Sequence, residues 1–164
     1  MRTGLDKLLA LDALAGEVRA LQRDGKTVAH CHGCFDILHA GHLRHFEQAR
    51  AMAGALVVTV TSDRFVNKGP DRPLFPERLR AELVGGLGVV DWVAVNEWAS
   101  AVPTIELLRA DLFVKGEEYE LPTQGINPAF AAEANAVTAV GGRVAFTRGF
   151  TLSSTAAFHR LVDK

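Results

Sequence analysis

The residue types that could do chemistry in this 164-residue chain are concentrated in one stretch, HCHGCFDILHAGH, at residues 30–42. It holds two cysteines and four histidines, and four of these six, Cys31, Cys34, His39 and His42, have the types and order of a zinc ligand set. Zinc sites usually leave about a dozen residues between the two ligand pairs, so that the chain can fold back on itself. Only four residues separate the second cysteine from the first of these two histidines, so the spacing disfavours zinc without excluding it.

A Cys-x-x-Cys pair between a strand and a helix is also typical of thiol redox sites. Here the helix is predicted to begin near Ala40, well after Cys34, so the helix dipole would act on the histidines and not on a thiolate. A redox pair stays an alternative, and so does a pair of small buried cysteines that do no chemistry.

His39 and His42 lie three residues apart at the predicted start of that helix, which places them on one helix face. Between them, Gly41 has no side chain to block a ligand, and a helix N-terminus supplies free N–H groups and positive potential. Two imidazoles in this position could hold a phosphate and stabilise the charge that grows on it during a displacement. The pair therefore predicts an anion site.

The elements that must position this site alternate regularly along the chain. Apolar, β-branched runs predict five strands, at residues 27–31, 55–61, 91–95, 111–115 and 143–147. Helical spacing or composition predicts helices over residues 5–22, from about 40, and over 77–87, 104–109, 128–140 and 153–162. This order predicts an α/β fold with a doubly wound parallel sheet of about five strands and helices on both faces.

Ligands of doubly wound sheets bind beyond the carboxyl ends of the strands. That rule brings four polar segments to one rim, at residues 31–42, 62–68, 115–119 and 148–155. The rim is therefore the predicted site.

Composition limits the partners of the chain. Residues 1–164 are predicted to form a single domain, with a leading helix within 1–25 and a core over 26–164. The formal net charge of −1 gives no strong field of either sign, which argues against nucleic acid as a partner. No apolar run approaches the ~18 residues of a membrane-spanning helix, and no secretory signal pattern is present, so no membrane partner and a cytoplasmic location are expected.

The motifs resemble one family. GCFDILHAGH, residues 33–42, closely resembles the G-x-F-D-x-x-H-x-G-H signature of the cytidylyltransferase-like nucleotidyltransferases, a group that includes glycerol-3-phosphate cytidylyltransferase and the nucleotidyltransferase domain of bacterial heptose-phosphate enzymes. Residues 62–93 resemble the family's lysine-glycine loop and arginine-bearing helix, 110–119 the end of its fourth strand, and 148–155 its last motif. From about Lys26 onwards, the chain is identified as a member with a Rossmann-like fold.

The resemblance implies a reaction and a set of site residues. A phosphate oxygen of the acceptor would attack the α-phosphorus of a nucleoside triphosphate in line and release pyrophosphate, with Mg²⁺ bridging the phosphates. The implied catalytic residues are His39, His42 and Lys68. The implied nucleotide-binding residues are Gly33, Cys34, Phe35, His39, His42, Arg78, Gly116, Glu118, Tyr119, Arg148, Ser153, Ser154 and Thr155. Related enzymes are commonly dimers, so a homodimer is expected.

The substrates stay open at this point. The leading hypothesis is transfer of CMP or AMP, from CTP or ATP, to a small phosphorylated acceptor such as a sugar or polyol phosphate. A phosphonate cytidylyltransferase and an adenylyltransferase of the heptose-phosphate type are alternatives, and a Cys/His metal or thiol-redox protein is the alternative from another class. Cys31 and His32 stand where many members of the family have Thr and Asn or Tyr, which leaves the choice of base and acceptor uncertain.

Several charged residues are expected to play no part in the reaction. Asp36 is predicted to hydrogen-bond backbone and shape its loop. Asp71, Arg72 and Glu117 are predicted to be surface charges.

Overall fold

The computed structural model describes residues 2–120 and 127–149, and these contain one five-stranded parallel sheet. The strands are β1 (Val28–Gly33), β2 (Ala55–Thr61), β3 (Trp92–Asn96), β4 (Leu112–Gly116) and β5 (Arg143–Thr147). Their spatial order is β3-β2-β1-β4-β5, and every neighbouring pair is parallel. The predicted α/β, doubly wound, Rossmann-like sheet is therefore confirmed.

Helices cover both faces of this sheet, as predicted. They are α1 (Leu11–Arg23), α2 (Ala40–Ala51), α3 (Glu77–Gly86), α4 (Val102–Leu108) and α5 (Pro128–Ala139). One face packs against α2 and α3 through a core that includes Phe46, Ala81 and Val84. The other face packs against α1, α4 and α5, where Leu14 and Val137 are buried.

The five predicted strands agree with the observed strands to within two residues at each end. The helix predicted over 153–162 lies outside the described residues. The leading helix is shorter than the predicted 5–22, because it begins only at Leu11. Before it, Leu5–Lys7 form a short 3-10 turn, and Leu8 pairs in parallel with Val93 of the edge strand β3.

Lys7 explains why this first segment stays against the sheet. Its ammonium is buried and donates to the carbonyls of Leu87, at 3.0 Å, and Val90, at 2.8 Å, just beyond the end of α3. The backbone N–H of Leu9 also donates to Val93, at 2.9 Å. These bonds compete with helix formation, since they need an extended chain before Leu11.

Among residues 2–120 and 127–149, none of the helices combines the length and the hydropathy that a membrane crossing requires.

Candidate active site

A cavity of about 530 Å³ opens at the carboxyl edge of the sheet. Its size suits a nucleotide-sized ligand, because small-molecule sites commonly enclose roughly 300–1,000 Å³. Ten of the predicted site residues line it: Gly33, Cys34, Phe35, His39, His42, Lys68, Gly116, Glu118, Tyr119 and Arg148. The topology rule for parallel sheets thus placed these residues together correctly.

Of the four remaining predicted site residues, only Arg78 lies in the described part of the chain. Arg78 is exposed on α3 and is not part of the lining. Ser153, Ser154 and Thr155 lie outside the described residues. Ten lining residues were not among those predicted, and seven of these have polar side chains: His32, Arg44, His45, Gln48, Lys115, Glu117 and Thr147.

His39 ends the turn after β1 and caps helix α2. Its backbone is extended, and its Nδ1 accepts a hydrogen bond from the backbone N–H of Gly41 at 3.1 Å. An Nδ1 that accepts carries no proton, so in the neutral ring the proton sits on Nε2. That Nε2 is buried and has no hydrogen-bond partner among the described residues. The cap therefore leaves a donor without an acceptor at the cavity wall.

His42 lies one helical turn further on, and its ring stacks on the ring of His39 with centroids 3.8 Å apart. Its Nδ1 is also buried without a partner in the described part of the chain. Burial first, and then the nearby His39, His45 and Lys68, lower the pKa of His42 to about 4. Both rings are therefore neutral at pH 7, because burial also lowers the pKa of His39.

The ring of Phe35 packs against the ring of His42. The Phe35 ring meets the edge of His42 at a centroid distance of 5.4 Å and that of Phe46 at 5.0 Å. To reach this position, the backbone of Phe35 adopts a φ of +48°, a left-handed conformation that costs a non-glycine residue about 1–2 kcal/mol. A Cβ at Gly33 would lie 2.9 Å from the same ring, so the turn requires glycine there.

Asp36 shapes the loop, as predicted. Its buried carboxylate accepts from the backbone N–H groups of Leu74, at 2.9 Å, and Phe75, at 3.1 Å. Burial raises its pKa, but these bonds and the Arg72 guanidinium outweigh burial and hold the pKa below its usual value. Arg72 was wrongly predicted as a surface charge, because its side chain is 4% exposed and pairs with Asp36.

Arg80 joins the three segments that form the histidine-side wall. Its fully buried guanidinium donates to the carbonyls of Cys34, Thr61 and Phe75, and to Asp63 Oδ1 at 2.7 Å. The family resemblance pointed to Arg78 in this helix, and Arg80 was not predicted. The available signal was its position four residues before Val84 and next to Ala81, inside the apolar stripe of α3.

The opposite wall, at the ends of β4 and β5, holds a buried ion pair. Lys115 Nζ lies 2.8 Å from Glu133 Oε2, and both side chains are about one-tenth exposed. The same ammonium lies 5.0 Å from the ring centroids of Phe113 and Tyr119. An ammonium within about 6 Å of an aromatic ring is attracted to the face of that ring, so Lys115 links Glu133 to Tyr119 on this wall.

Side chains also tie the segment after β5 to this wall. The Gln48 amide exchanges two 2.8 Å hydrogen bonds with the backbone of Arg148. Glu117, predicted as a surface charge, is half-buried and accepts from the Gly149 N–H at 3.0 Å. The Arg148 guanidinium pairs with Glu120 at 2.7 Å on the surface.

The two cysteines do not form a reactive pair. Cys31 is fully buried in the core, and burial raises the pKa of its thiol far above the usual range. Burial also raises the pKa of Cys34 at the cavity wall. A protonated thiol is not a nucleophile. Among the described residues, no group of three or more His, Cys, Asp or Glu side chains could hold a metal ion.

We expect the buried histidines to make the fold sensitive to acid. The pKa of His45 is lowered to about 4, by burial and then by Lys115, and that of His42 is equally low. In the unfolded chain a histidine has a pKa of about 6.5, so between about pH 6.5 and 4 the unfolded state binds more protons. The free energy of unfolding should fall by about 1 kcal/mol per pH unit for each such histidine.

Urea unfolding at pH 7.5, 6.0 and 5.0 measures this slope. His45→Asn is the matched variant, because the amide can keep the 2.7 Å contact with Thr147 Oγ1 without titrating. For this variant, the free energy of unfolding should depend less steeply on pH, because about one proton fewer is taken up on unfolding. A free energy of unfolding that stays constant from pH 7.5 to 5.0 would contradict the burial of these neutral rings.

The fold and the site define a class of protein. A parallel Rossmann-like sheet places a histidine-bearing helix N-terminus against a polar cavity at its carboxyl edge, which is the arrangement of an α/β protein that handles phosphate groups. The chain belongs to the cytidylyltransferase-like family, whose model matches residues 30–155. It is accordingly a nucleotidyltransferase.

Curated relatives agree with this assignment. The chain is 34% identical over 140 residues to the bifunctional protein HldE of Syntrophotalea carbinolica. This match covers 84% of the chain and 27% of that protein. It is 41% identical over 114 residues to the bifunctional protein HldE of Hyphomonas neptunium, and this match covers 68% of the chain and 24% of that protein. The chain spans about a quarter of the length of these relatives.

Solved structures share the fold. A lipopolysaccharide core biosynthesis protein from Thermoplasma volcanium superposes with a TM-score of 0.61 at 24% identity, covering 79% of this chain and 100% of that one. A pantoate-beta-alanine ligase from Francisella tularensis superposes with a TM-score of 0.64 at 10% identity, and the superposition covers 93% of this chain and 72% of that one. At these identities the likeness concerns the fold alone.

Proposed function

We propose that this nucleotidyltransferase transfers AMP or CMP from the nucleoside triphosphate to the phosphate of a small sugar or polyol phosphate and releases pyrophosphate. Identity of 34–41% to HldE proteins, together with the likeness to heptose-phosphate enzymes, favours AMP and a phosphorylated heptose. Transfer of CMP to a polyol phosphate is the other candidate within the family.

The observation that carries the proposal is the pair of unpartnered nitrogens at the start of α2. His39 Nε2 and His42 Nδ1 are buried, and neither has a partner among residues 2–120 and 127–149. A buried donor without an acceptor costs about 1–3 kcal/mol, so such groups are retained where a ligand completes them. Phosphate oxygens of a triphosphate are acceptors of the right kind for a helix N-terminus.

The chemistry assigned to this wall is positioning and charge stabilisation. The His39 N–H is proposed to donate to the α-phosphate as negative charge develops on it, and His42 to act beside it. Lys68 is exposed at the cavity edge in the loop after β2, where a flexible ammonium can follow the departing phosphates. Mg²⁺ is expected to arrive with the nucleotide and to bind mainly to its phosphate oxygens.

The test is a pyrophosphate-release assay with purified protein, Mg²⁺, and either ATP or CTP. The acceptor panel contains a heptose phosphate, mannose 1-phosphate and glycerol 3-phosphate. We expect release that requires both a nucleotide and a phosphorylated acceptor, and a higher kcat/KM for ATP than for CTP. Absence of release with every pair would contradict the proposed function, whereas release without any acceptor would indicate hydrolysis.

The Mg²⁺ requirement, the homodimer and the cytoplasmic location stay predictions.

A further inference from the structure

The cavity has a polar group that the proposed phosphate chemistry does not use. His32, the penultimate residue of β1, lines the cavity, but it lies on the other side of the sheet from His39 and His42. Ala29 and Cys31 of β1 pack towards α2, and side chains alternate along a strand, so His30 and His32 face the opposite side of the sheet, which α1, α4 and α5 cover. On that face, the ring of His30 contacts Phe113 of β4, with centroids 5.2 Å apart.

Thr59 of β2 holds the His32 ring in one orientation. Its hydroxyl lies 3.0 Å from His32 Nδ1 and 2.8 Å from His30 Nε2. A hydroxyl has one hydrogen and two lone pairs, so it donates to at most one of these rings and accepts from at least one. In each case the Thr59 hydroxyl occupies His32 Nδ1. The other ring nitrogen, Nε2, has only a 3.5 Å contact with Thr61 Oγ1 and is left for the cavity.

The His32 ring carries no charge. Burial and the Lys115 ammonium lower its pKa to about 3, so at pH 7 it offers one neutral nitrogen that donates or accepts. The phosphates are assigned to Lys68 and to the N-terminus of α2, where free backbone N–H groups accompany the neutral rings of His39 and His42. His32 stands in a strand and not at a helix N-terminus, so its neutral nitrogen matches a hydroxyl group, which both donates and accepts.

Two reactants in this site could carry that hydroxyl: the sugar or polyol acceptor and the ribose of the nucleotide. In-line displacement puts the attacking oxygen and the departing pyrophosphate on opposite sides of the α-phosphorus. Since the α2 side is assigned to the triphosphate, the acceptor approaches from the side where His32 lies. On the basis of the proposed function, we propose that His32, oriented by Thr59, forms a hydroxyl-recognition subsite for the sugar or polyol part of the acceptor.

The test compares KM values for the acceptor and the nucleotide in variants of the full chain. It uses the panel sugar phosphate with the highest kcat/KM. An asparagine amide overlays the Nδ1 position of histidine and a glutamine amide overlays Nε2, so His32→Asn keeps the contact with Thr59 but loses the subsite, while His32→Gln restores a polar group there. We expect His32→Asn to raise the acceptor KM by about 5- to 20-fold, with the nucleotide KM within about twofold.

His32→Gln should recover part of that loss, and Thr59→Val, which frees the ring to turn, should raise the acceptor KM by about 2- to 5-fold. If His32→Asn does not fold, Thr59→Val decides the proposal: its acceptor KM should rise while its nucleotide KM stays within about twofold. An unchanged acceptor KM, or an equal rise in the nucleotide KM, would overturn the subsite.

A second arm separates the two hydroxyl sources. Wild-type protein and His32→Asn are compared with ATP and 2′-deoxy-ATP. We expect the preference for ATP to be the same in both proteins, and loss of that preference in His32→Asn would assign the hydroxyl to the ribose and overturn the proposal. No pyrophosphate from the wild-type protein with any acceptor would overturn the proposed function and the subsite with it, whereas normal wild-type turnover with unaffected variants would overturn the subsite alone.

Discussion

His39→Asn is expected to lower kcat by about 100- to 1,000-fold while leaving the melting temperature unchanged. Asparagine is one of the best N-cap residues, so its side-chain oxygen can still accept from the Gly41 N–H. The Nε2 donor, which has no partner in the described part of the chain, is lost. Removing one donor that stabilises developing charge typically costs this much in kcat. Steady-state pyrophosphate release and thermal unfolding measure the two quantities.

His39→Ala is the comparison, because it removes the cap and the donor together. Its kcat should fall as far as that of His39→Asn, and its free energy of unfolding should fall by about 1 kcal/mol as well. If His39→Asn turned over at the wild-type rate, the role of His39 as a donor to the α-phosphate would be wrong, even though the cap would stand.

The largest loss of stability is expected for Arg80→Met. The change leaves three backbone carbonyls and Asp63 without their buried guanidinium, and those carbonyls belong to the turn at Cys34, the end of β2 and the segment that leads into α3. A buried acceptor left without its donor costs about 1–3 kcal/mol, so the loss of three such bonds is expected to cost about 3–5 kcal/mol in all. For a chain of this size that lowers the melting temperature by roughly 10 °C. Calorimetry or urea unfolding tests this directly.

Arg78→Met, two residues earlier in the same helix, is the matched control for stability. Arg78 is exposed, and a surface substitution of this kind usually changes stability by less than about 0.5 kcal/mol. Equal losses for the two variants would contradict the special position of Arg80. The activity of Arg78→Met is informative in itself, because the family resemblance assigns Arg78 to the nucleotide and the described cavity does not include it.

The order of elements was predictable because short apolar runs and helical spacing report local burial, and parallel sheets bring strand ends together. That was sufficient to predict five strands, helices on both faces, and a site at one rim. It was also sufficient to predict that His39 and His42 lie on one face at a helix start, since their spacing and the helix start are local features. The start of α1 was not predictable in this way, because Leu8 and Lys7 bind to β3 and the end of α3, more than eighty residues away.

Long-range pairing decided the remaining parts of the site. Arg72 and Arg80 look like surface charges in a linear sequence, and only folding brings Asp36 and three carbonyls to them. Likewise, His32 became a distinct group only when β2 placed Thr59 beside it. The sequence alone therefore determined the family, the sheet and the position of His39 and His42 at a helix start, which depend on local pattern. The tertiary structure decided which polar side chains are buried, what they hold and which face of the sheet they serve, because those properties depend on partners distant in the chain.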